Sequence, residues 1–168
     1  MEAIAALADP LLRWVHISAA LIWIGHNYVN VIMVPVYLRP RAPDLQDDAP
    51  DLARRSKREH ASFRFASLVV WISGAIMLHR NGMMADALAL KGAAAPIGLA
   101  AWIATIMVLN LWFIMWPHQK KVLGFVPASL EERIRCSRVT FLSSRSNTIL
   151  SMPVLFLMVS GPHGMALF

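Results

Sequence analysis

The 168-residue chain contains few charged residues and a single cysteine. Charged residues make up 15% of the sequence, against about 25% in a typical soluble domain, whereas 57% of the residues are hydrophobic. Because Cys136 has no second cysteine in the sequence, an internal disulfide and a cysteine-based zinc or iron–sulfur site are excluded. This composition also excludes a soluble enzyme, a DNA-binding domain and a disordered protein.

Charged residues are absent from three long stretches, residues 14–38, 93–116 and 146–168. A run of about 18 or more apolar residues is long enough to cross a bilayer as a helix. A shorter apolar segment lies between the first two stretches. The sequence therefore predicts transmembrane helices at about 11–38, 61–79, 93–116 and 139–160.

The expected fold is all-α, an integral membrane four-helix up-down bundle that forms one transmembrane domain over residues 1–168. Short connections favour this antiparallel arrangement. Asp9-Pro10 is expected to start the first helix, which we interpret as retained rather than as a signal peptide. Pro117 and Gly161-Pro162 are expected to end the third and fourth helices. A separate short basic helix is predicted over residues 51–60.

Positive charge is concentrated in two of the predicted loops. The basic residues of these loops are Arg39, Arg41, Arg54, Arg55, Lys57 and Arg58 in the first, and Lys120, Lys121, Arg133, Arg135 and Arg138 in the second. Loops rich in Lys and Arg face the cytoplasm, so we expect an inner-membrane protein of a bacterium with both termini on the periplasmic side. The anionic leaflet thus accounts for the basic balance, and no nucleic-acid partner is expected.

Histidines are the most informative polar residues of the predicted spans. His16, His79 and His163 are predicted at one level near the outer face, on or beside three helices. Ionisable groups inside a span are costly and are functional candidates by default, and neutral imidazole is a good ligand for haem iron. The sequence therefore predicts haem b, with His16 and His79 on the iron and His163 as the competing second ligand. His26, about 15 Å deeper, is the candidate for a second haem.

Two further polar positions lie within the predicted fourth helix. Arg145 and Asn147 are predicted to bind a haem propionate or an anionic substrate, which suits guanidinium geometry; the alternative is that Arg145 snorkels to the interface. On the first helix, Trp23, Asn27 and Asn30 share the direction of His16 and are expected to face the bundle. His60 and His118, at the cytoplasmic edges, are interpreted as interfacial residues.

Four segments resemble the membrane domain of the bacterial membrane-bound urate oxidase (urate hydroxylase) family. They are RWVHISAALIWIG at 13–25, WISG at 71–74, NLWFIMWPHQKKV at 110–122 and RSNTILSMPVLFLM at 145–158. The resemblance implies a related, shorter membrane core, in which His16 matches the family's first-helix histidine. That family has about twice as many helices and a cytochrome c domain with a CxxCH motif, neither of which has a counterpart in these residues.

A weaker similarity is to the small membrane protein of haem biosynthesis that oxidises protoporphyrinogen. Both resemblances imply tetrapyrrole-linked or quinone-linked redox work in the membrane. Three functions therefore stay open. The first is a b-type-cytochrome-like protein that passes electrons to a cytochrome c, a quinone or a dehydrogenase subunit. The second is a membrane oxidase of a urate-like purine or a porphyrinogen, and the third is a non-redox accessory subunit. A homo-oligomer is compatible with all three.

Overall fold

The computed structural model describes residues 2–41, 45 and 50–165, with only the backbone described for 2–6 and 50–59. These residues form helices and connecting turns, without a strand in the described ranges. The α-helices are α1 (Glu2–Met33), α2 (Pro50–Arg80), α3 (Met84–Leu88), α4 (Ala95–Leu109), α5 (Trp116–Val122) and α6 (Leu130–Ser160). A 3₁₀ turn, Gly92–Ala94, precedes α4, and another, Gly161–His163, follows α6. The all-helical prediction is thus confirmed.

Three helical segments are long and apolar enough to cross a membrane: Leu7–Met33, His60–Arg80 and Gly92–Val122. Large apolar side chains cover their outer faces, and Leu21, Ile32 and Phe113 are each more than 70% exposed. Such surfaces are stable in lipid, and they agree with a membrane protein. The corresponding stretch of α6 contains Arg145 and Asn147 and is not among the three, so its crossing of the membrane stays a prediction.

Helix α1 differs from its predicted bounds of 11–38 at both ends. It begins at Glu2 and contains Pro10, because the preceding segment is rich in alanine, the strongest helix former. It ends at Met33, five residues before the predicted end. Pro35 accounts for the early end, since a proline disfavours the helical conformation of the residue before it and has no N–H to continue the ladder.

Helices α2 and α6 both begin well before their predicted starts at 61 and 139. The basic segment 51–60 is not a separate helix, because it continues into the apolar part of α2 without a break. Ser129 caps α6, and its hydroxyl accepts the backbone N–H of Glu132 at 3.3 Å. A serine followed three residues later by glutamate is a capping-box sequence, so the early start of α6 has a signal in the sequence.

Pro117 does not end the third long helix, contrary to the prediction of an end at Trp116. Proline lacks an N–H, and its ring presses on the carbonyl four residues earlier, here that of Phe113. A π-helical turn, Asn110–Met115, lies immediately before the proline and widens the backbone there. Helix α5 therefore follows α4 and this turn without a gap and ends at Val122.

Helices α1 and α2 pack antiparallel in one constant register. Near one end, the Arg80 guanidinium pairs with the Asp9 carboxylate at 2.9 Å. Further along, His16 Nδ1 lies 3.0 Å from Ser73 Oγ. Near the other end, the rings of His26 and Phe63 stack with centroids 4.1 Å apart. Each pair of residue numbers adds to the same sum, so the helices face each other without a slip over most of α2.

Helix α6 is joined to α4 and the π turn by a buried amide network. Asn110 Nδ2 donates to Asn147 Oδ1 at 2.8 Å and to the Ser143 carbonyl at 2.9 Å. Asn147 Nδ2 in turn donates to the Met107 carbonyl at 3.1 Å. Since Asn147 is 1% exposed, these bonds replace those that water cannot supply there. The network holds α6 antiparallel to the third long helix.

The first prediction concerns Gly98, where α4 lies against the short helix α3. A Cβ on Gly98 would lie 1.9 Å from the Ala87 carbonyl oxygen, a clash with backbone that side-chain motion cannot relieve. We expect Gly98→Ala to lower the melting temperature of the detergent-solubilised protein, with a loss of about 1–3 kcal/mol or more. Thermal unfolding followed by circular dichroism measures this change.

Gly25→Ala is the matched control, because a Cβ on this helical glycine would have no atom within 4 Å. Alanine is favoured over glycine in a helix by about 0.5–1 kcal/mol, so this variant is expected to melt no lower than the wild type. Equal melting temperatures for the wild type and Gly98→Ala would contradict the described packing of α3 on α4.

Candidate functional site

A cleft of about 270 Å³ lies where α1, α2, α5 and α6 meet, at the end of the molecule that carries the two basic connections. An extended segment after α1, including Tyr37, closes one side of it, and the Tyr37 hydroxyl lies 2.9 Å from Ser137 Oγ on α6. The polar side chains that line the cleft are His26, Asn27, Asn30, Tyr37, His60, Gln119, Ser137, Thr140, Ser144 and Arg145.

Two histidines from neighbouring helices contact the same aromatic ring in this cleft. His26 of α1 and His60 of α2 have ring centroids 6.3 Å apart, with ring planes at 79°. Phe63 stacks on His26 and meets the His60 ring edge-on at 5.4 Å. The constant α1–α2 register places these rings together, because residue 26 of α1 lies opposite residue 63 of α2.

Both imidazoles contact a side-chain amide nitrogen. Asn30 Nδ2, one helical turn along α1, lies 2.8 Å from His26 Nε2. Gln119 Nε2, from α5, lies 3.0 Å from His60 Nε2 and 3.1 Å from its Nδ1. An amide nitrogen only donates, so the ring nitrogen that it bonds must accept and carry no proton. A neutral imidazole has one such nitrogen, so only one of the two His60 nitrogens accepts from Gln119, and the arrangement suits two neutral rings.

Three buried polar atoms of cleft residues have no hydrogen-bond partner among the described residues. They are Asn27 Nδ2, Gln119 Oε1 and Arg145 Nη1. The other terminal nitrogen of Arg145 donates to the Val34 carbonyl, and its guanidinium carbon lies 4.5 Å from the centroid of the Phe141 ring. An unpaired buried donor or acceptor costs about 1–3 kcal/mol, so these atoms provide hydrogen-bonding capacity for a small polar ligand.

His16, the predicted haem ligand, lies outside this cleft in the contact between α1 and α2. The Ser73 hydroxyl donates to the Val69 carbonyl at 2.6 Å, so it accepts from His16, and Nδ1 carries the imidazole proton. Nε2 therefore keeps its lone pair. A Cβ on Gly74 would lie 3.1 Å from His16 Cε1, so this glycine makes room for the ring.

His79 and His163, the other predicted iron ligands, are both exposed. His79 lies six residues beyond Ser73 on α2, about 9 Å along the helix axis from the level of His16. His163 Nδ1 lies 2.7 Å from the Val159 carbonyl of its own segment. The described side chains form no group of three or more His, Cys, Asp or Glu residues that could hold a metal ion.

The remaining predicted residues are divided between the cleft and the helix contacts. Arg145 lines the cleft, whereas both polar atoms of its predicted partner Asn147 are bonded between helices. The prediction that Trp23 and Asn27 face inward is confirmed, since each is 2% exposed.

Sequence reasoning missed His60 and Gln119 as site residues. His60 was interpreted as interfacial because it stands at a predicted helix end. Antiparallel pairing of the first two helices was the available signal, since it brings the start of α2 next to His26 near the end of α1. Gln119 had no such signal, because the predicted helix ended before Pro117 and left it in a loop.

The comparisons with known proteins give one result. Residues 66–168 match the family model described as urate oxidase N-terminal. The search of curated proteins finds no match, and the search of solved structures finds none either. The matched range covers more than half of the chain, from the middle of α2 to the C-terminal end, and includes Gln119 and Arg145. The chain therefore belongs to the urate oxidase N-terminal family.

Proposed function

We propose that this protein is a membrane module that binds a urate-like purine in the His26–His60 cleft and takes part in its oxidation. The observation that carries the proposal is the set of unpartnered buried atoms on Asn27, Gln119 and Arg145, which line one cavity beside two imidazoles. The family supplies the class of ligand, since its description names urate oxidase. The cleft supplies a site with the matching chemistry.

A urate anion is small and planar, with carbonyl and N–H groups around its edge, and each property has a counterpart in the cleft. Arg145 provides a cation and a free donor, Asn27 a second donor, and Gln119 an amide that can either accept or donate. The Phe63 ring adds a flat apolar surface. The volume of about 270 Å³ is just below the range of about 300–1,000 Å³ for drug-sized ligands, and so favours a purine over a haem.

We further propose that all four long helices cross the inner membrane in an up-down bundle with both basic connections in the cytoplasm. The charge distribution supports this orientation, and it puts the cleft near the cytoplasmic face. Electrons from the purine would then pass to a redox partner such as a cytochrome c, a quinone or a dehydrogenase subunit. The redox partner and a homo-oligomer are further parts of this proposal.

Haem at His16 is the second candidate, because one observation favours it. A metal-bound histidine usually donates its other N–H to a fixed acceptor, and His16 makes this bond to Ser73 while its Nε2 lone pair stays available. A haem b held there would supply one-electron chemistry. His16 would hold the iron, and a second ligand would come from His79, His163 or a partner subunit.

The second prediction tests the purine site through Arg145. Loss of a hydrogen bond to a charged group costs about 1.5–3 kcal/mol, so Arg145→Gln should weaken urate binding by roughly 10- to 100-fold. Isothermal titration of urate into the detergent-purified protein measures the dissociation constant.

Arg138→Gln is the matched control, because Arg138 lies on the same helix, is exposed and does not line the cleft. This variant should bind urate like the wild type, and both variants should keep the wild-type melting temperature within a few degrees. Equal losses of affinity in the two variants, or binding by neither variant nor the wild type, would refute the assignment.

The third prediction tests the haem candidate by spectroscopy. If His16 ligates haem b, the purified protein should show a Soret band, and His16→Ala should lose most of it because the axial bond is removed. His118→Ala is the control, since His118 bonds the Ile114 carbonyl on the other side of the structure and should leave the spectrum unchanged. A wild-type protein without the band, or a His16→Ala variant that keeps it, would eliminate this candidate.

A further inference from the structure

The charges around His60 are all positive or neutral in the part of the chain that the structure describes. His26 faces it from α1, Arg64 lies one turn further along α2, Arg145 comes from α6 and lines the same cleft, and Gln119 of α5 is neutral. The described lining of the cleft contains no carboxylate. A proton on His60 therefore has no compensating charge in the empty cleft, and a bound anion would provide one.

The two polar atoms of the Gln119 amide differ in their hydrogen bonding. Its amide nitrogen contacts His60, whereas its carbonyl oxygen is buried and has no hydrogen-bond partner among the described residues. This orientation suits a neutral His60, which can accept a hydrogen bond. A protonated His60 has two donors and no acceptor, so it would favour the opposite orientation, in which Gln119 Oε1 accepts its proton.

We infer that binding of the anion is coupled to uptake of one proton by His60, with rotation of the Gln119 amide as the coupling element. This inference rests on the proposed function, because the anion is the urate-like purine of that proposal. The proton comes from solvent and forms the second N–H bond of His60. Rotation brings Gln119 Oε1 to this N–H, so the acceptor that had no partner gains one. The same rotation frees Gln119 Nε2 to donate to the anion.

The coupling also defines the specificity of the site. Once the amide has rotated, Asn27 Nδ2, Gln119 Nε2 and Arg145 Nη1 are all donors, and Arg145 and protonated His60 add positive charge. An anionic purine matches this pattern, whereas a neutral purine of the same shape does not provide the charge that stabilises protonated His60. His60 and Gln119 are thus positioning residues that select the anion.

The test is proton uptake during titration of urate into the full-length protein in detergent. Calorimetry in phosphate and in Tris, whose ionisation enthalpies differ, gives the number of protons taken up per anion. We expect about one proton per urate at a pH where the empty protein holds a neutral His60 and urate is a monoanion. In that range, affinity should fall about tenfold per pH unit as pH rises, because the complex binds one more proton than the free protein.

His60→Gln should remove the uptake and flatten the pH dependence while still binding urate, and Gln119→Leu should reduce both the uptake and the affinity. His26→Gln is the matched variant: it also removes an imidazole from the cleft and should lower affinity, but it should keep the uptake. Urate binding by the wild type without proton uptake, or full uptake in His60→Gln, would overturn the inference and leave the proposed function intact. Absence of urate binding by the wild type would overturn both.

Discussion

Polar side chains among apolar helices have no water to bond, and this constraint determines most of the packing. Asn110 and Asn147 satisfy each other across the contact of α6 with the π turn and take up two backbone carbonyls in doing so. The Ser73 hydroxyl similarly serves the backbone of α2 and His16 of α1. Because the amide bonds and the Ser73–His16 bond each join two helices, these polar residues fix a register that a purely apolar surface would leave undefined.

The cleft gathers several exceptions to this rule in one cavity, whereas Trp23 Nε1 and two guanidinium nitrogens of Arg64 are exceptions outside its lining. Asn27, Gln119 and Arg145 are drawn from three different helices, and each leaves a buried atom without a partner there. On α6, by contrast, both polar atoms of the buried Asn147 amide are bonded. The convergence of the unpartnered atoms on one cavity beside two imidazoles is the observation behind the proposed polar ligand. The α1–α2 register that aligns Asp9 with Arg80 also brings His26 to His60, so packing and site depend on the same alignment.

The sequence predicted the presence of the long helices because their signal, the absence of charge over about 20 residues, needs no knowledge of tertiary contacts. It predicted their ends less well. Pro10 and Pro117 were interpreted as a start and a stop, but an alanine-rich segment and a π turn carry the helix past each of them. A π turn has no simple sequence signature, whereas the serine–glutamate cap of α6 does and was overlooked.

The site was harder to predict than the fold, because it depends on which residues of different helices meet. Depth along a helix correctly separated His26 from His16, and the stripe of Trp23 and Asn27 correctly identified the buried face. Depth alone could not show that His60 lies beside His26, or that Asn147 is hydrogen-bonded to Asn110 and does not line the cleft. Those outcomes follow from helix register, which is set by many side chains at once.

The central claim is that the cleft between α1, α2, α5 and α6 holds a small planar anion. An experimental structure of the protein determined with saturating urate tests this most directly. The account predicts density for one urate between Arg145 and the His26–His60 pair, within hydrogen-bond distance of Gln119. A well-defined structure with urate bound at another place, or with no urate in this cleft, would contradict it.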